Sequence, residues 1–216
     1  MMAAESTCPL VRAHRSLRAA CIDCTGEPAS GQRRLRRRAI VCLQGEPSDA
    51  IYAVVDGWLR EVVTRDGDRL VSPRLLGPGA MFGWSALTGA SAPTTVEVVR
   101  DATLCAVHPS VVRQWFVDHP EESLSALTAL AEDVDVLRER NVLLNAPAEE
   151  RVRTLVHELG QSNPPGAWTR LPLTRAEMGE LLGLSLETVS RCMQKLAANG
   201  ELEVRARWVR LKTESE

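Results

Sequence analysis

The stretch TRAEMGELLGLSLETVSRCMQKLAANG, residues 174–200, carries two short helical patterns on either side of a turn. Thr174 can cap the first helix, and Glu177 can bond back to the cap in a capping box. Gly183 predicts the end of this helix, because glycine readily takes the left-handed conformation of a C-terminal cap. Ser185 can then cap the second helix. The stretch is therefore predicted to fold as two helices joined by a tight turn.

The second of these helices sorts into two faces. Its apolar face is expected to contain Leu186, Val189, Cys192, Met193 and Leu196. Its polar face is expected to contain Glu187, Ser190, Arg191 and Gln194. The spacing Gly179-x3-Gly183-x5-Val189 is typical of a DNA-binding helix-turn-helix, with a small residue where the two helices cross. An ordinary helical hairpin with a polar surface is the alternative, and the register of these three positions favours DNA binding.

Length and composition narrow the class of protein. The 216 residues, 44% of them hydrophobic, suit one large or two small domains. The sequence has no apolar run long enough to span a membrane and no secretory signal, so a cytoplasmic protein without a membrane partner is expected. The formal net charge of −2 excludes a chain that is basic throughout. It leaves room for a local basic face that binds DNA.

The first half of the chain, from about Arg33 to Pro109, is predicted to be all-β. Turn signals recur about every ten residues, at Gly45, Asp56-Gly57, Asp66-Gly67, Gly77-Pro78-Gly79 and Gly89. Between them lie β-prone runs such as IYAVV, WLREVV, TTVEVV and TLCAV. This regular spacing indicates a small antiparallel sandwich or barrel. The preceding run of arginines fits a solvated strand face better than a contact with DNA or polymerase.

A long helix is predicted over residues 121–145. Residues at steps of three and four form an approximate heptad seam, namely Leu124, Leu127, Leu130, Val134, Leu137, Asn141 and Leu144. The helix length and the polar Asn141 favour a two-stranded coiled coil over a helix packed on its own core, because a polar seam residue can fix register. We therefore predict a homodimer with an interface at Leu130, Val134, Leu137, Asn141 and Leu144.

The chain after the helix-turn-helix predicts a small hairpin. The runs ELEVR and WVRLK flank Ala206 and have β-prone composition. Together with a further helix over residues 148–161, they predict a winged helix-turn-helix. The basic side chains of this wing are in place to meet phosphates, namely Arg205, Arg207, Arg210 and Lys212.

The order of these parts resembles the CRP/FNR family of bacterial transcription regulators. The resemblance extends from about Arg33 to the C-terminus and is most specific in LPLTRAEMGELLGLSLETVSR, which is similar to the FNR branch. It implies an α+β fold with an N-terminal antiparallel β-roll (a double-stranded β-helix or jelly roll), a long dimerisation helix and a C-terminal winged helix-turn-helix. The expected divisions are a cysteine-bearing segment over 1–30, the roll over 31–119, the dimerisation helix over 120–146 and the DNA-binding domain over 147–216.

The resemblance also assigns the residues that read DNA. It implies that Arg191 donates to a guanine edge, Glu187 accepts from a cytosine amine and Ser190 contacts a thymine. In this family the triplet implies a TTGAT-like half-site, so a symmetric dimer would read a TTGAT-N4-ATCAA-like inverted repeat in double-stranded DNA. RNA polymerase is the expected protein partner. Further DNA contacts are expected at Thr174, Arg175, Thr188, Gln194 and Arg207.

The cysteines suggest a sensor. Cys21 and Cys24 form a C-x2-C pair, which in a reducing compartment points to metal or redox chemistry. The family resemblance implies a [4Fe-4S] cluster held by these two together with Cys8 and Cys105, and four thiolates suit such a cluster. The implied signal is oxygen, nitric oxide or redox state. Cys42 and Cys192 are expected to be packing residues.

Two alternatives to the cluster remain open. The same regulator could carry zinc or a thiol–disulfide switch at these cysteines. An iron–sulfur electron-transfer protein is more remote, because the sequence has no GxGxxG, P-loop or His/carboxylate constellation. We therefore expect no enzymatic activity and assign no catalytic residue.

Binding of cAMP is not expected. The cyclic-nucleotide pocket of the CRP branch needs a glutamate and an arginine, and the corresponding runs here are Phe82-Gly83-Trp84-Ser85 and Pro93-Thr94-Thr95. Without the arginine, a cyclic phosphate lacks its charge partner.

Overall fold

The computed structural model describes residues 32–65, 69–120, 122–160, 164 and 166–212. These residues divide into two compact units. The first contains the chain up to Arg69 and Pro73–Asp135, and the second contains Leu70–Ser72 and the chain from Val136. Within the described residues, no helix is long and apolar enough to cross a membrane. The segment that carries Cys8, Cys21 and Cys24 lies outside the described residues.

The first unit is built on an antiparallel sheet. Its strands are β1 (Gln32–Leu35), β2 (Ile40–Cys42), β3 (Ile51–Arg65), β5 (Leu75–Leu76), β6 (Met81–Phe82) and β7 (Thr95–Val107). The short strand β4 (Arg69–Val71) falls at the division between the units, with Leu70 and Val71 in the second. Strands β3 and β7 form the central ladder, β1 and β2 pair with β7, and β5 and β6 pair with β3. A short 3-10 helix, Trp84–Thr88, precedes β7. This arrangement confirms the predicted antiparallel β-roll.

The turn predicted at Asp56-Gly57 is wrong, because β3 continues through it. The register between β3 and β7 shifts at this point, from Val54 to Asp56 and again from Asp56 to Trp58. Gly57 has φ 92°, and a Cβ there would lie 2.3 Å from the carbonyl oxygen of Asp101 on β7. The glycine permits a β-bulge and a close approach of the two strands instead of a chain reversal. The runs TTVEVV and TLCAV likewise belong to one strand, β7.

Both faces of β3 are buried. Ile51 and Ala53 belong to one apolar cluster, and Tyr52 and Val54 belong to another. Successive side chains of a strand point to opposite faces, so this alternation places β3 between two layers of core. Such double burial explains why the run IYAVV is aliphatic apart from Tyr52, whose hydroxyl donates to Asp49.

Two helices follow the sheet. α1 (Pro109–Asp118) begins after His108, whose side chain accepts a hydrogen bond from the backbone N–H of Ser110. α2 (Glu122–Leu143) contains most of the predicted seam. Leu124, Leu127, Val134, Leu137 and Asn141 of this seam are exposed, with Leu124 70% and Val134 44% accessible, and Leu130 is half-buried.

The long helix ends at Leu143, two residues before the predicted end at residue 145. Leu144 lies in a turn after α2, where Asn145 and Ala146 donate to carbonyls three residues earlier. The turn leads directly into Pro147, which has no N–H to continue a helical ladder. Leu144 follows the last residue of α2, its N–H makes the final helical bond to the carbonyl oxygen of Arg140, and its side chain is exposed.

The second unit is a winged helix-turn-helix, as predicted. Its elements are α3 (Ala148–Gly160), β8 (Thr169–Arg170), α4 (Arg175–Leu182), α5 (Leu186–Ala198), β9 (Leu202–Arg205) and β10 (Trp208–Leu211). The three strands form one antiparallel sheet in the order β8-β10-β9. The buried core of this unit includes Val152, Leu155, Leu182, Val189, Met193 and Leu196.

Candidate nucleic-acid interface

The first helix of the helix-turn-helix starts with the predicted capping box. The Thr174 hydroxyl accepts from the backbone N–H of Glu177 at 3.2 Å, and the Glu177 carboxylate accepts from the backbone N–H of Thr174 at 2.5 Å. Both bonds satisfy N–H groups that the start of a helix leaves without partners. Thr174 is half-buried, and in the free chain its hydroxyl is bonded to the backbone of its own helix.

The turn between α4 and α5 depends on two glycines. A Cβ at Gly179 would lie 2.4 Å from the carbonyl oxygen of Leu184, so no larger residue fits without movement of the backbone. Gly183 has the left-handed φ of 65°, and its N–H and that of Leu184 donate to the carbonyl oxygen of Gly179. These contacts hold the start of α5 against α4.

The apolar face of α5 matches the prediction except at its first residue. Val189, Cys192, Met193 and Leu196 are buried. Leu186 was predicted on this face but is 47% exposed. It is the first residue of α5, and burial along the helix begins only at Val189.

The opposite face of α5 presents the residues predicted to read DNA. Glu187, Arg191 and Gln194 are exposed, and Ser190 and Thr188 are half-buried. Ser185 caps the helix and accepts from the N–H of Thr188 at 3.2 Å.

Glu187 lies in the first turn of α5. A hydrogen bond from its own backbone N–H, followed by one from Ser185, holds the pKa of Glu187 below its ordinary value. This face therefore offers an ionised acceptor and a guanidinium fork, which suit the edges of base pairs.

The side chains of Arg175 and Arg207 each donate a hydrogen bond to a backbone carbonyl oxygen of the same unit. Arg175 donates to the carbonyl oxygen of Ala206 at 3.4 Å, and burial lowers the pKa of this arginine. Arg207 donates to the carbonyl oxygen of Pro172 at 2.6 Å. Both bonds tie the wing to the segment around the start of α4. A DNA contact by either side chain stays a prediction, and the structure gives each a structural role in the free chain.

Trp168 is a residue of this unit that the sequence did not single out. The guanidinium carbon of Arg205 lies 4.8 Å from the centre of its ring, and that of Arg210 lies 5.3 Å away. The available signal was the alternation WTR, in which an extended chain would place Trp168, just before β8, on the same side as Arg170.

Cys105 is the only residue of the proposed cluster set within the described part of the chain. It is fully buried on β7 beside Ile51, Val107 and Trp115. Its position in the ladder is directly opposite Gln32, the first residue of β1. The described residues contain no group of three His, Cys, Asp or Glu side chains able to hold a metal.

The connection between Cys24 and the roll is compatible with a shared site. Cys24 is eight residues before Gln32 in sequence. Eight residues span at most about 29 Å, so the length of this connection does not prevent the C-x2-C pair from sharing a site with Cys105. A thiol set fits a soft metal or a cluster.

A cavity of about 130 Å³ lies in the β-roll. Its lining includes Phe82, Gly83, Trp84, Ser85, Pro93 and Thr94, together with Cys42, Glu61 and Arg74. Arg74, which lies outside the two runs compared in the sequence, reaches this cavity from the loop before β5. Arg74 is ion-paired with Asp133 of α2.

Burial raises the pKa of Glu61 and that of Asp133, while the charge of Arg74 opposes both shifts. The cation of the cavity is thus ion-paired with Asp133 and lies close enough to Glu61 to affect the pKa of that carboxyl.

Two domain families match this chain. Residues 32–119 match the family model of the cyclic nucleotide-binding domain, and residues 150–215 match that of the Crp-like helix-turn-helix domain. The chain is 25% identical to the transcriptional activator protein FnrA of Stutzerimonas stutzeri over 83% of this chain and 75% of that protein. It is 22% identical to the anaerobic regulatory protein of Haemophilus influenzae over 81% of this chain and 70% of the relative.

A solved structure has the same architecture. FixK2 from Bradyrhizobium japonicum superimposes with a TM-score of 0.77 at 26% identity, covering 84% of this chain and 92% of that one. The shared order of sheet, long helix and winged helix-turn-helix therefore extends over most of both chains.

Proposed function

We propose that this chain, a DNA-binding transcription regulator of the CRP/FNR family, acts as a homodimer on a TTGAT-N4-ATCAA-like inverted repeat. The observation that carries the proposal is the solvent face of α5, where Glu187, Ser190 and Arg191 lie beside one another on a capped helix. RNA polymerase is the protein partner that a regulator of this kind would contact.

Each side chain of this triplet has a distinct task. Arg191 has five N–H donors in a rigid fork, which match the two acceptors on a guanine edge. Glu187 accepts from the amine of a cytosine, and Ser190 contacts a thymine. A good bidentate contact discriminates against a wrong base by about 1–3 kcal/mol.

The exposed seam of α2 supports the homodimer. Leu127, Val134 and Leu137 leave large apolar surfaces open along one helix, a pattern that pairing with a second copy would bury. Asn141 would pair across the axis and fix the register. Two α5 helices related by the dimer axis would then enter successive major grooves.

The DNA proposal is tested with Arg191→Ala and the matched control Arg100→Ala, an exposed arginine on β7. Fluorescence anisotropy measures affinity for the repeat and for duplexes with the guanine of each half-site replaced. We expect Arg191→Ala to lose at least about tenfold in affinity and to lose its preference for guanine, since the contact is made in both half-sites. The control should bind normally. Unchanged affinity for Arg191→Ala would overturn the assignment.

We further propose that Cys8, Cys21, Cys24 and Cys105 hold a [4Fe-4S] cluster that senses oxygen, nitric oxide or redox state. Bound there, the group would supply oxygen-sensitive redox chemistry. The chain's own contribution would be the register of β1, which places Gln32 opposite Cys105 on β7. The apolar neighbours of Cys105 would limit the access of solvent.

The cluster proposal is tested by iron and sulfide analysis and a visible spectrum after strictly anaerobic purification. We expect about four iron and four sulfide per chain. Cys24→Ser and Cys105→Ala should lower both contents, while Cys42→Ala, a change in the same unit outside the proposed set, should not. A colourless chain that contains zinc would favour a zinc site, and a metal-free chain would favour a thiol–disulfide switch. Either result would overturn the cluster.

The β-roll cavity is proposed not to take up cAMP. Arg74 is ion-paired with Asp133, and Glu61 lines the same cavity. A cyclic phosphate would have to displace one carboxylate and approach another. Isothermal titration calorimetry should therefore detect no binding of cAMP, and a saturable heat of binding would contradict the proposal.

A further inference from the structure

We propose that Trp168 is a positioning residue that holds Arg205 and Arg210 for contact with DNA phosphates flanking the half-site. The surface concerned is the outer face of the wing sheet, called the wing face below. It consists of Trp168, Arg170, Glu203, Arg205, Trp208 and Arg210. The inference rests on the proposed reading of DNA by α5, and it assigns to Trp168 the positioning of two wing arginines that the sequence predicts to meet phosphates.

The strand register defines the wing face. On β10, Trp208 pairs with Arg170 of β8 on one side and with Arg205 of β9 on the other. Directly paired residues of antiparallel strands point to the same side, and residues two apart along a strand do as well. The opposite side contains Thr169, Leu202 and Val209, which are buried. The five strand residues of the wing face therefore share the outward side of the sheet. Trp168 directly precedes β8, and its ring lies against Arg205 and Arg210 of this side.

Trp168 fixes the geometry of the arginines. Its half-buried ring lies 4.8 Å from the guanidinium carbon of Arg205 and 5.3 Å from that of Arg210, both within cation–π range. Arg210 also forms an ion pair with Glu203. A guanidinium stacked on a ring keeps its N–H donors at the edge of its plane, where a phosphate can accept them.

The charge of the wing face favours a polyanion. Three arginines and one glutamate give it a formal charge of +2, by 3 − 1, in a chain whose formal net charge is −2. Arg170 and Arg205 are exposed, and Trp208 is 46% accessible. Basic side chains interleaved with aromatic ones are a common composition of nucleic-acid surfaces.

Duplex DNA is favoured over an acidic protein because of position. The wing face belongs to the same compact unit as α5, and β9 begins four residues after α5 ends. A duplex held by α5 continues past the half-site and presents phosphates regularly along its axis. The duplex that binds α5 therefore also supplies the phosphates that the wing face would contact.

The test compares Trp168→Leu with Trp168→Phe, which keeps a ring for the arginines. Binding is measured at several salt concentrations on a short duplex that ends at the inverted repeat and on one extended by about ten base pairs on each side. On the long duplex we expect Trp168→Leu to weaken binding about five- to thirtyfold, one cation–π arrangement being lost in each protomer. The slope of log affinity against log salt should fall by up to about four, because two arginines in each protomer lose their position. Trp168→Phe should behave like the wild type.

The short duplex separates this inference from the proposed function. On the short duplex, discrimination between bases depends on α5. If no discrimination is found, the proposed reading of DNA is refuted, whatever the wing does. If discrimination holds and Trp168→Leu binds the long duplex with unchanged affinity and salt slope, the wing inference is wrong. Loss of RNA polymerase binding by Trp168→Leu with unaltered DNA binding would assign the wing face to a protein partner and overturn it too. Thermal melting checks that both variants fold.

Discussion

The side chain of Arg151 donates from Nη1 to the carbonyl oxygen of Leu182 at 2.9 Å. Leu182 is the last residue of α4, where carbonyl groups lack partners within the helix. The same guanidinium donates from Nε to the carbonyl oxygen of Ala146, at 2.7 Å, in the turn that follows α2. One side chain of α3 thus joins the end of the first helix of the helix-turn-helix to the chain that enters this unit.

Replacing Arg151 by methionine should destabilise the second unit. The change leaves two carbonyl groups without their charged donor, and we expect the free energy of unfolding to fall by about 1.5–3 kcal/mol. Urea denaturation followed by circular dichroism measures it. Arg153→Met on the same helix is the control, because Arg153 is 36% exposed in its ion pairs with Glu149 and Glu201 and should contribute less. Equal losses for the two variants would contradict this role of Arg151.

Alanine at Gly179 should break the turn between α4 and α5. In a helix, alanine is ordinarily more favourable than glycine by about 1 kcal/mol. Here its Cβ would meet the carbonyl oxygen of Leu184, so we expect a net loss of about 1–3 kcal/mol and a large loss of specific DNA binding.

Gly200→Ala is the matched control for this turn. It meets no atom within 4 Å but forces alanine into the left-handed region, at φ 80°. It should lose stability by about 1 kcal/mol while DNA binding persists in the folded chain. Retention of full DNA affinity by Gly179→Ala would show that the turn tolerates movement.

Glu61 should make the stability of the first unit depend on pH. Burial raises the pKa of this carboxyl above its ordinary value, so the folded chain holds the proton more tightly than the unfolded chain. Its contribution to stability is complete below the unfolded pKa and is lost as the pH rises through the folded pKa. Glu61→Gln stays neutral, so its stability relative to the wild type should increase from about pH 4 to about pH 7.

Chemical denaturation across this pH range tests the role of Glu61. Glu46→Gln, a change at an exposed glutamate of the same unit, is the control for the removal of one carboxyl group. A Glu61→Gln profile parallel to that of the wild type would mean that Glu61 does not titrate differently in the folded chain.

A charge in the seam of α2 should prevent dimerisation. Leu137→Glu would place like charges opposite each other in a two-stranded pairing, and analytical ultracentrifugation should find a monomer where the wild type is a dimer. Val136→Glu is the control, because Val136 is similarly exposed on α2 but lies off the seam. Dissociation by Val136→Glu and not by Leu137→Glu would place the dimer contact on another face of the helix.

The sequence by itself determined the helix-turn-helix. The capping box of Thr174 and Glu177, the left-handed Gly183 and the cap at Ser185 all act between residues a few positions apart. Their hydrogen bonds form as soon as the helices form, so local spacing is sufficient to predict them. The burial of α5 from Val189 onward follows from the same helical period.

Only the tertiary structure decided which distant residues meet. The sequence could not tell that Gly57 marks a bulge instead of a turn, because the cause is the backbone of β7 at Asp101. Arg74 reaches Asp133, and Trp168 reaches Arg205, across 59 and 37 positions. Such contacts depend on how the strands and helices pack, and periodicity along the chain does not record them. Helix α5 can therefore be predicted from residues close together in the sequence, whereas the positions of the charged and aromatic side chains around it depend on the tertiary structure.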